Sequence, residues 1–503
     1  MLQIPSQDEL NILAALPVIL LSLIASLLLV ADRFIPNKRN IAWLALAGVL
    51  LTLGVAVLQA GQVVEFGNEG LAFSGMFVAD QFSYVVNVVA LLAALIGILV
   101  SFEYLERTQL DRGEYYVLLL FSAVGAMFMG ASGNLVMIFI GLELLSIPLY
   151  ILSGIRRPQE ESEESAMKYF LLGAFASAFL VYGIALVFGA TGSLDLNEIF
   201  LAASDLSAAD ASAQYLLLIG AGLILVGLGF KVAAVPFHMW TPDVYQGAPT
   251  PVTAYMSVVA KVGGFAALLR VMVTGLPVVL EGTNNVLWLD SVQFIAGITL
   301  ILGNVVAIMQ SDLKRMLAYS SIAHGGYMLI AVAAAGIEGV GNLAAQAALI
   351  YLAAYTFTNI GAFACVVAIE KDDTTGTLMN DIKGLGTTHP RLAAAMTIFM
   401  LSLTGVPLTA GFIGKFFVFR AAMEANLIPL AVIGVLTSVV SAFYYMRVVW
   451  NMYFEAPARE VSRARQPMLA GALWLTAAGT LVLGILPYIL ENLVRDATLV
   501  LIP

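Results

Sequence analysis

Four lysines, Lys168, Lys231, Lys261 and Lys415, and one glutamate, Glu143, stand within or at the ends of long apolar runs in a sequence of 503 residues. A charge at the centre of a bilayer costs about 2.5–3.5 kcal/mol on insertion scales, so such residues face a polar cavity or a partner. Burial disfavours an ammonium and a neighbouring carboxylate restores it. A buried lysine with a switchable carboxylate partner is therefore a proton-loading site, and Glu143 in "FIGLELLSIPLY", the acidic residue deep in a run, is the expected partner. Two of the lysines adjoin helix breakers: "FKVAAVPFHMW" places Lys231 before Pro236, and "TGVPLTAGFIGK" places Pro407 before Lys415. Proline removes a backbone donor and clashes with the preceding turn, so in mid-membrane it frees carbonyls that other helices, side chains or water must meet. Paired interruptions in corresponding places of two halves point to an ion path.

The remaining polar residues leave two readings each. His238, beside Pro236, is either a proton relay or a cap for the freed carbonyls. His324, in "SSIAHGGYML", titrates near physiological pH if unperturbed and is either a relay or a satisfied core histidine. Lys168 follows "EESEESAM" and either joins the path or snorkels to the interface. The other lysines and Glu143 also admit a purely structural reading, as interhelical ion pairs or hydrogen bonds. A single cysteine, Cys365, and three scattered histidines, His238, His324 and His389, supply no disulfide framework and no pattern for zinc, haem or an iron–sulfur cluster. No cofactor or metal is expected in this chain, and no nucleic-acid partner.

The elements that must position these residues follow from composition. The sequence is 61% hydrophobic and 11% charged, against about 25% charged in ordinary globular domains, which marks an integral membrane protein. About fourteen apolar stretches are long enough to cross the hydrocarbon core as helices: 10–31, 41–60, 80–101, 115–131, 134–154, 166–190, 213–240, 250–275, 291–310, 314–335, 341–369, 391–418, 428–453 and 467–489. None shows the alternation of barrel strands, so the fold class is all-α. Spans 7 and 12 carry the breaks, and they occupy the same place in two five-span blocks, 4–8 and 9–13. An odd number of spans per block makes the blocks inverted repeats. The expected organisation is an amino-terminal three-helix segment (1–113), a first repeat (114–276), a second (277–454) and a carboxy-terminal helix with its tail (455–503).

Cytoplasmic loops collect Lys and Arg. With the amino terminus outside, the odd-numbered connections hold Arg33, Lys38, Arg39, Arg107, Arg112, Arg156, Arg157, Lys314, Arg315, Lys371, Lys383, Arg391, Arg447, Arg459, Arg463 and Arg465. The other face holds only Arg270, Arg420 and Arg495, and gathers Glu65, Glu69, Asp195, Glu198, Asp205 and Asp210. Both termini are expected on the outer side.

Three segments, "FKVAAVPFHMWTPDVYQGAPTPVTAYMSVVAKVGGF", "SDLKRMLAYSSIAHGGYM" and "GVPLTAGFIGKFFVF", closely resemble the subunit N family of proton-translocating NADH:quinone oxidoreductase, respiratory complex I. Subunits L and M of that complex and subunits of multisubunit Mrp-type sodium/proton antiporters are similar; "PDVYQGAPTPVTA" favours N. The resemblance implies a fold of fourteen helices with two inverted repeats in the membrane arm of a large assembly. It also implies a proton path through Glu143, Lys231, Lys261 and Lys415, with His238 and His324 near the axis. NADH, FMN, iron–sulfur clusters and quinone would be handled by other subunits, and the partners would be other membrane-arm subunits, including a neighbouring antiporter-like one, together with protons and the lipid bilayer. A bacterial inner (plasma) membrane is expected, with an organellar membrane as the alternative. The rival functions are a subunit of an Mrp-type antiporter, which would need an oxygen-rich cation site, and a structural subunit that does not pump.

Overall fold

The structure is a computed structural model that describes residues 10–62, 70–206, 211–277, 286–371, 375–458 and 466–499. Glu65, Glu69, Asp210, Arg459, Arg463 and Arg465, used above for the charge asymmetry, lie outside the described residues.

Helices satisfy their backbone groups within one segment, which is what an apolar run in lipid requires. Spans 1 to 6 are Leu16–Asp32, Lys38–Ala60, Gln81–Arg107, Gly113–Gly130, Leu135–Ser153 and Glu160–Thr191. Span 7 is broken into Ala211–Lys231 and Trp240–Gly247, and span 8, Thr250–Leu269, ends in a π-helical turn, Arg270–Gly275. Spans 9 to 11 are Leu289–Ile308, Leu313–Ala335 and Gly341–Ile369. Span 12 is broken into Pro390–Thr404 and Ala410–Glu424, and spans 13 and 14 are Ile428–Phe454 and Pro467–Ile485. Among the described residues, thirteen helices are long and apolar enough to cross a membrane. Span 12 is the addition to that number, because each of its halves has only 15 residues.

The two five-span blocks pack alike. In each, the first span lies on the second and on the fifth, the second lies on the third, and the third lies on the broken fourth. Close approach at the first of these contacts depends on glycine. A Cβ on Gly125 of span 4 would lie 2.2 Å from the Leu145 backbone nitrogen of span 5, and one on Gly303 of span 9 would lie 2.7 Å from that of Ala323 in span 10. Small residues let helix backbones meet where lipid provides no hydrophobic drive for association. Spans 3, 8, 10 and 11 are enclosed on nearly all sides and span 4 on most, whereas spans 1, 2, 6, 9, 13 and 14 and the first half of span 7 expose half or more of their surface.

Two basic residues read as loop charges are enclosed instead. Arg270 is 2% exposed. Its Nη2 lies 2.5 Å from Asp80 Oδ1 and its Nε donates to Gly130 O at 3.0 Å, which joins the end of span 8 to spans 3 and 4. Lys314 is the second residue of span 10, is 4% exposed, and donates to Ala248 O at 2.7 Å. Both residues fill helix-end carbonyl sites, which hydropathy along the chain does not register. Beside Asp80 a small hairpin, β1 (Gly70–Ala72) and β2 (Phe77–Ala79), bridges to Ser132.

Gly125→Val should force spans 4 and 5 apart and destabilise the chain by about 1–3 kcal/mol, as overpacked cores do. Thermal denaturation of the purified assembly should show a lower midpoint than for Gly54→Val, where the added Cβ meets nothing within 4 Å.

Candidate functional site

The first half of span 7 ends at Lys231, five residues before Pro236, because Ala233 adopts a left-handed conformation (φ 61°). The break is then closed by side chains from three directions. Trp240 Nε1 donates to Phe230 O at 3.0 Å, Lys261 Nζ of span 8 donates to Val232 O at 3.1 Å, and the Val235 N–H donates to Thr299 Oγ1 of span 9 at 2.9 Å. His238 approaches none of these three groups and faces the Pro236 backbone within the break. It is half-buried, and its Nδ1 is buried without a hydrogen-bond partner.

Lys231 is 2% exposed. Its ammonium donates to Ser146 Oγ at 2.6 Å and to Tyr169 OH at 3.4 Å, and lies over the rings of Tyr150 and Tyr169. Its carboxylate partner, Glu143, acts on it from a distance and not through a direct ion pair. Glu143 sits one helical turn before Ser146 on span 5, is half-buried, and accepts a 2.5 Å hydrogen bond from Ser177 Oγ of span 6. The lysine and the glutamate are linked through the face of span 5, with Ser146, itself bonded to Leu142 O, between them.

Span 12 breaks at Gly405, whose φ of +94° ends the first half, and Leu408 is also left-handed. Lys415, on the second half, reaches back across the break. Its ammonium donates to Leu403 O at 3.0 Å, Thr404 O at 2.8 Å and Ser438 Oγ at 2.8 Å, and lies 4.7 Å from the centroid of the Tyr327 ring. Both breaks therefore place a buried lysine ammonium on freed carbonyls, Lys261 at the first and Lys415 at the second.

His324 of span 10 lies between them. Its Nδ1 is 2.6 Å from Tyr351 OH and its Nε2 is 3.1 Å from Tyr445 OH, which in turn is 2.5 Å from Ser320 Oγ. The ring packs against Tyr327, the residue beneath the Lys415 ammonium. A Cβ on the adjacent Gly325 would lie 3.1 Å from Val232 O and 3.2 Å from Lys261 Nζ, so this glycine leaves room for the Lys261 contact. The structure thus brings Lys231, Lys261, His324 and Lys415 into one interior polar chain, with Glu143 at its edge.

Lys168 lies apart from that chain. It is half-exposed and pairs at 2.6 Å with both Glu164 and Asp243, while Asp243 also pairs at 2.7 Å with Arg315. His389 occupies the N-cap position of span 12, before Pro390, without a side-chain cap hydrogen bond. Among the described residues, no group of three or more His, Cys, Asp or Glu could hold a metal ion. The tyrosines and serines that bond the lysines and His324 were not singled out in the sequence. For Ser146 and Tyr169 the signal is a hydroxyl within one turn of a charge, Glu143 and Lys168, on the same helix; Tyr351 and Ser438 carry no such mark.

A family model described as NADH:quinone oxidoreductase/Mrp antiporter, TM, matches residues 132–441. The chain is 43% identical over 495 residues to NADH-quinone oxidoreductase subunit N of Trichlorobacter lovleyi, covering 97% of each. The chain belongs to the subunit N family of NADH:quinone oxidoreductase. To subunit N of Chloroflexus aggregans it is 42% identical, over 99% of each chain. A chain of respiratory complex I from Thermus thermophilus matches with a TM-score of 0.79 at 34% identity, over 95% of this chain and 99% of that one. A chain of the Mrp complex from Dietzia has the same TM-score at 22% identity, which shows a shared fold. As a subunit N chain, this is an antiporter-like, proton-translocating membrane subunit of a multisubunit complex I.

Thr299→Val should leave the Val235 N–H buried without an acceptor and cost about 1–3 kcal/mol, seen as a lower denaturation midpoint of the assembled complex, while Thr299→Ser should keep the midpoint. Gly325→Val should crowd the Lys261 ammonium from Val232 O and lower coupled proton pumping more than it lowers the amount of assembled complex.

Proposed function

We propose that this subunit moves protons along the interior chain from Lys231 through Lys261 and His324 to Lys415, driven by electron transfer from NADH to quinone in other subunits. The observation that carries the reading is that each break holds a buried ammonium on its freed carbonyls, with His324 and its tyrosines between. Lys231 and Val232 are consecutive, so the donor of one lysine and the acceptor of the next share one stretch of backbone. Glu143, reached through Ser146 and half-buried at the edge of the chain, is suited to receive the charge state of a neighbouring antiporter-like subunit and set the proton affinity of Lys231. Moving one charge against about 200 mV costs about 4.6 kcal/mol, at about 2.3 per 100 mV. Making or breaking one close charge contact at an effective dielectric of about 20 is worth about 4 kcal/mol at 4 Å, so one switched pair is of the size required. Lys168, held by Glu164 and Asp243, is a structural member at the rim of this path.

In this reading residues 114–276 and 277–454 are the two inverted repeats, flanked by the 1–113 segment and the 455–503 tail. Their matching internal packing supports the division. The basic connections face the cytoplasm and both termini the outer side of a bacterial inner membrane, in accord with the charge asymmetry. FMN and iron–sulfur clusters belong to partner subunits. The lysine-rich axis, with one carboxylate beside it, favours protons over a sodium cargo.

Lys231→Ala in the intact complex should leave assembly on a native gel unchanged and abolish most proton pumping coupled to NADH oxidation. Normal pumping by the assembled variant would contradict the path, and loss of assembly with normal pumping in the residue that assembles would favour a structural subunit.

A further inference from the structure

A second buried charge cluster lies where the two repeats meet, at the end of the molecule that carries the basic connections. Glu370 closes span 11 and is 2% exposed. Tyr104 OH of span 3 donates to its Oε1 at 3.3 Å. Lys314 of span 10, Arg107 at the end of span 3 and Arg156 after span 5 are its cationic neighbours. Asp312 is the other carboxylate acting on Lys314. Thr250, the first residue of span 8, approaches Glu370, yet its Oγ1 and Glu370 Oε2 are both buried without a well-formed hydrogen bond. The carboxylate is thus approached by two hydroxyls, of Tyr104 and Thr250, and by the Lys314 ammonium, groups able to exchange a proton with it.

The three helices that meet here carry polar stripes toward the axis. Span 8 presents Thr250, Ser257 and Lys261, span 10 presents Lys314, Ser321 and His324, and span 11 presents Glu370, Asn359 and Tyr355. These positions fall three, four or seven residues apart, or sums of those, so each set shares one helix face. The stripes touch: Asn359 Nδ2 of span 11 donates to Ser257 Oγ of span 8 at 2.6 Å, and Tyr355 of span 11 approaches Ser321 of span 10, which Tyr245 OH of span 7 also meets at 3.5 Å. Asn359 Oδ1 is buried without a hydrogen bond of good geometry to the chain. From Thr250 to Lys261 the climb is about 16 Å at 1.5 Å per residue, a distance that a few waters between these hydroxyls span.

We propose that Glu370 is a proton-loading site on the basic face, from which protons reach Lys261 and His324 along the polar seam of spans 8, 10 and 11. The inference rests on the transport reading above and adds an entry at the junction of the repeats, separate from the Lys231 end. The proton taken up at the Glu370 carboxylate passes by water and hydroxyl relay, with no bond formed other than O–H and N–H.

The test uses the intact complex in proteoliposomes, with the pH on the basic face varied and protons pumped per NADH oxidised recorded. Glu370→Gln should assemble and lose at least about tenfold in the rate of coupled pumping, a modest loss for a proton-transfer group, with its dependence on pH at the basic face flattened. Glu370→Asp should restore part of both, and Thr250→Val, which removes the facing hydroxyl without altering charge, should also slow pumping. If Glu370→Gln does not assemble, Thr250→Val carries the test alone. Parent pumping and parent pH dependence in the assembled Glu370→Gln complex, or in Thr250→Val where that carries the test, overturn the inference. Lys231→Ala and Lys261→Ala measured alongside separate the two claims. If they lose pumping while the seam variants keep it, only the entry site is wrong; if all pump normally, the transport reading itself fails.

Discussion

A backbone carbonyl released from its helix inside a bilayer must find a donor, and this chain releases carbonyls twice. The rest of the structure is arranged around meeting that demand. At span 7 the donors are the Trp240 indole and the Lys261 ammonium, and at span 12 the donor is the Lys415 ammonium reaching across its own break. An ammonium in an apolar interior is costly, and so is an unpaired carbonyl. Bringing them together lowers both costs, and leaves a proton that can depart, because the carbonyls can turn to a neutral amine or to water. The site and the stability of the broken helices are thus one feature.

That constraint also explains where the enclosed helices lie. Spans 8 and 10 carry Lys261 and His324, and span 11 carries Tyr351 and Tyr355, two of the tyrosines that bond or pack on His324. These three spans and span 3 are shielded from lipid by the others. A lysine at a break can be neutral or charged only if lipid does not reach it. The glycines that allow spans 4 and 5, and 9 and 10, to touch close the packing around this interior.

Much of this was legible in the sequence because charge in an apolar run is conspicuous. The span boundaries, the two breaks and the residues Lys231, Lys261, Lys415, Glu143 and His324 stand out by type alone. What was not legible depended on geometry. A left-handed Ala233 carries no sequence mark, so the sequence points to Pro236 and not to Lys231 as the end of the helix. Ser146 looks like any serine tolerated in a membrane helix, so nothing in the sequence shows that it stands between Lys231 and Glu143. Arg270, Lys314 and Glu370 sit at span ends, where hydropathy cannot separate a side chain that turns inward from one that turns to water.

The central claim is that Lys261, held on a carbonyl freed by the first break, joins the two halves of one proton path. The most direct measurement is the number of protons pumped per NADH oxidised by the intact complex carrying Lys261→Met, with its content of assembled complex equal to the parent. A lower ratio, with electron transfer either retained or slowed by the blocked step, is the predicted result. A parent ratio at parent turnover would show that protons do not pass through this lysine, and would leave the carbonyl contact as a structural bond only.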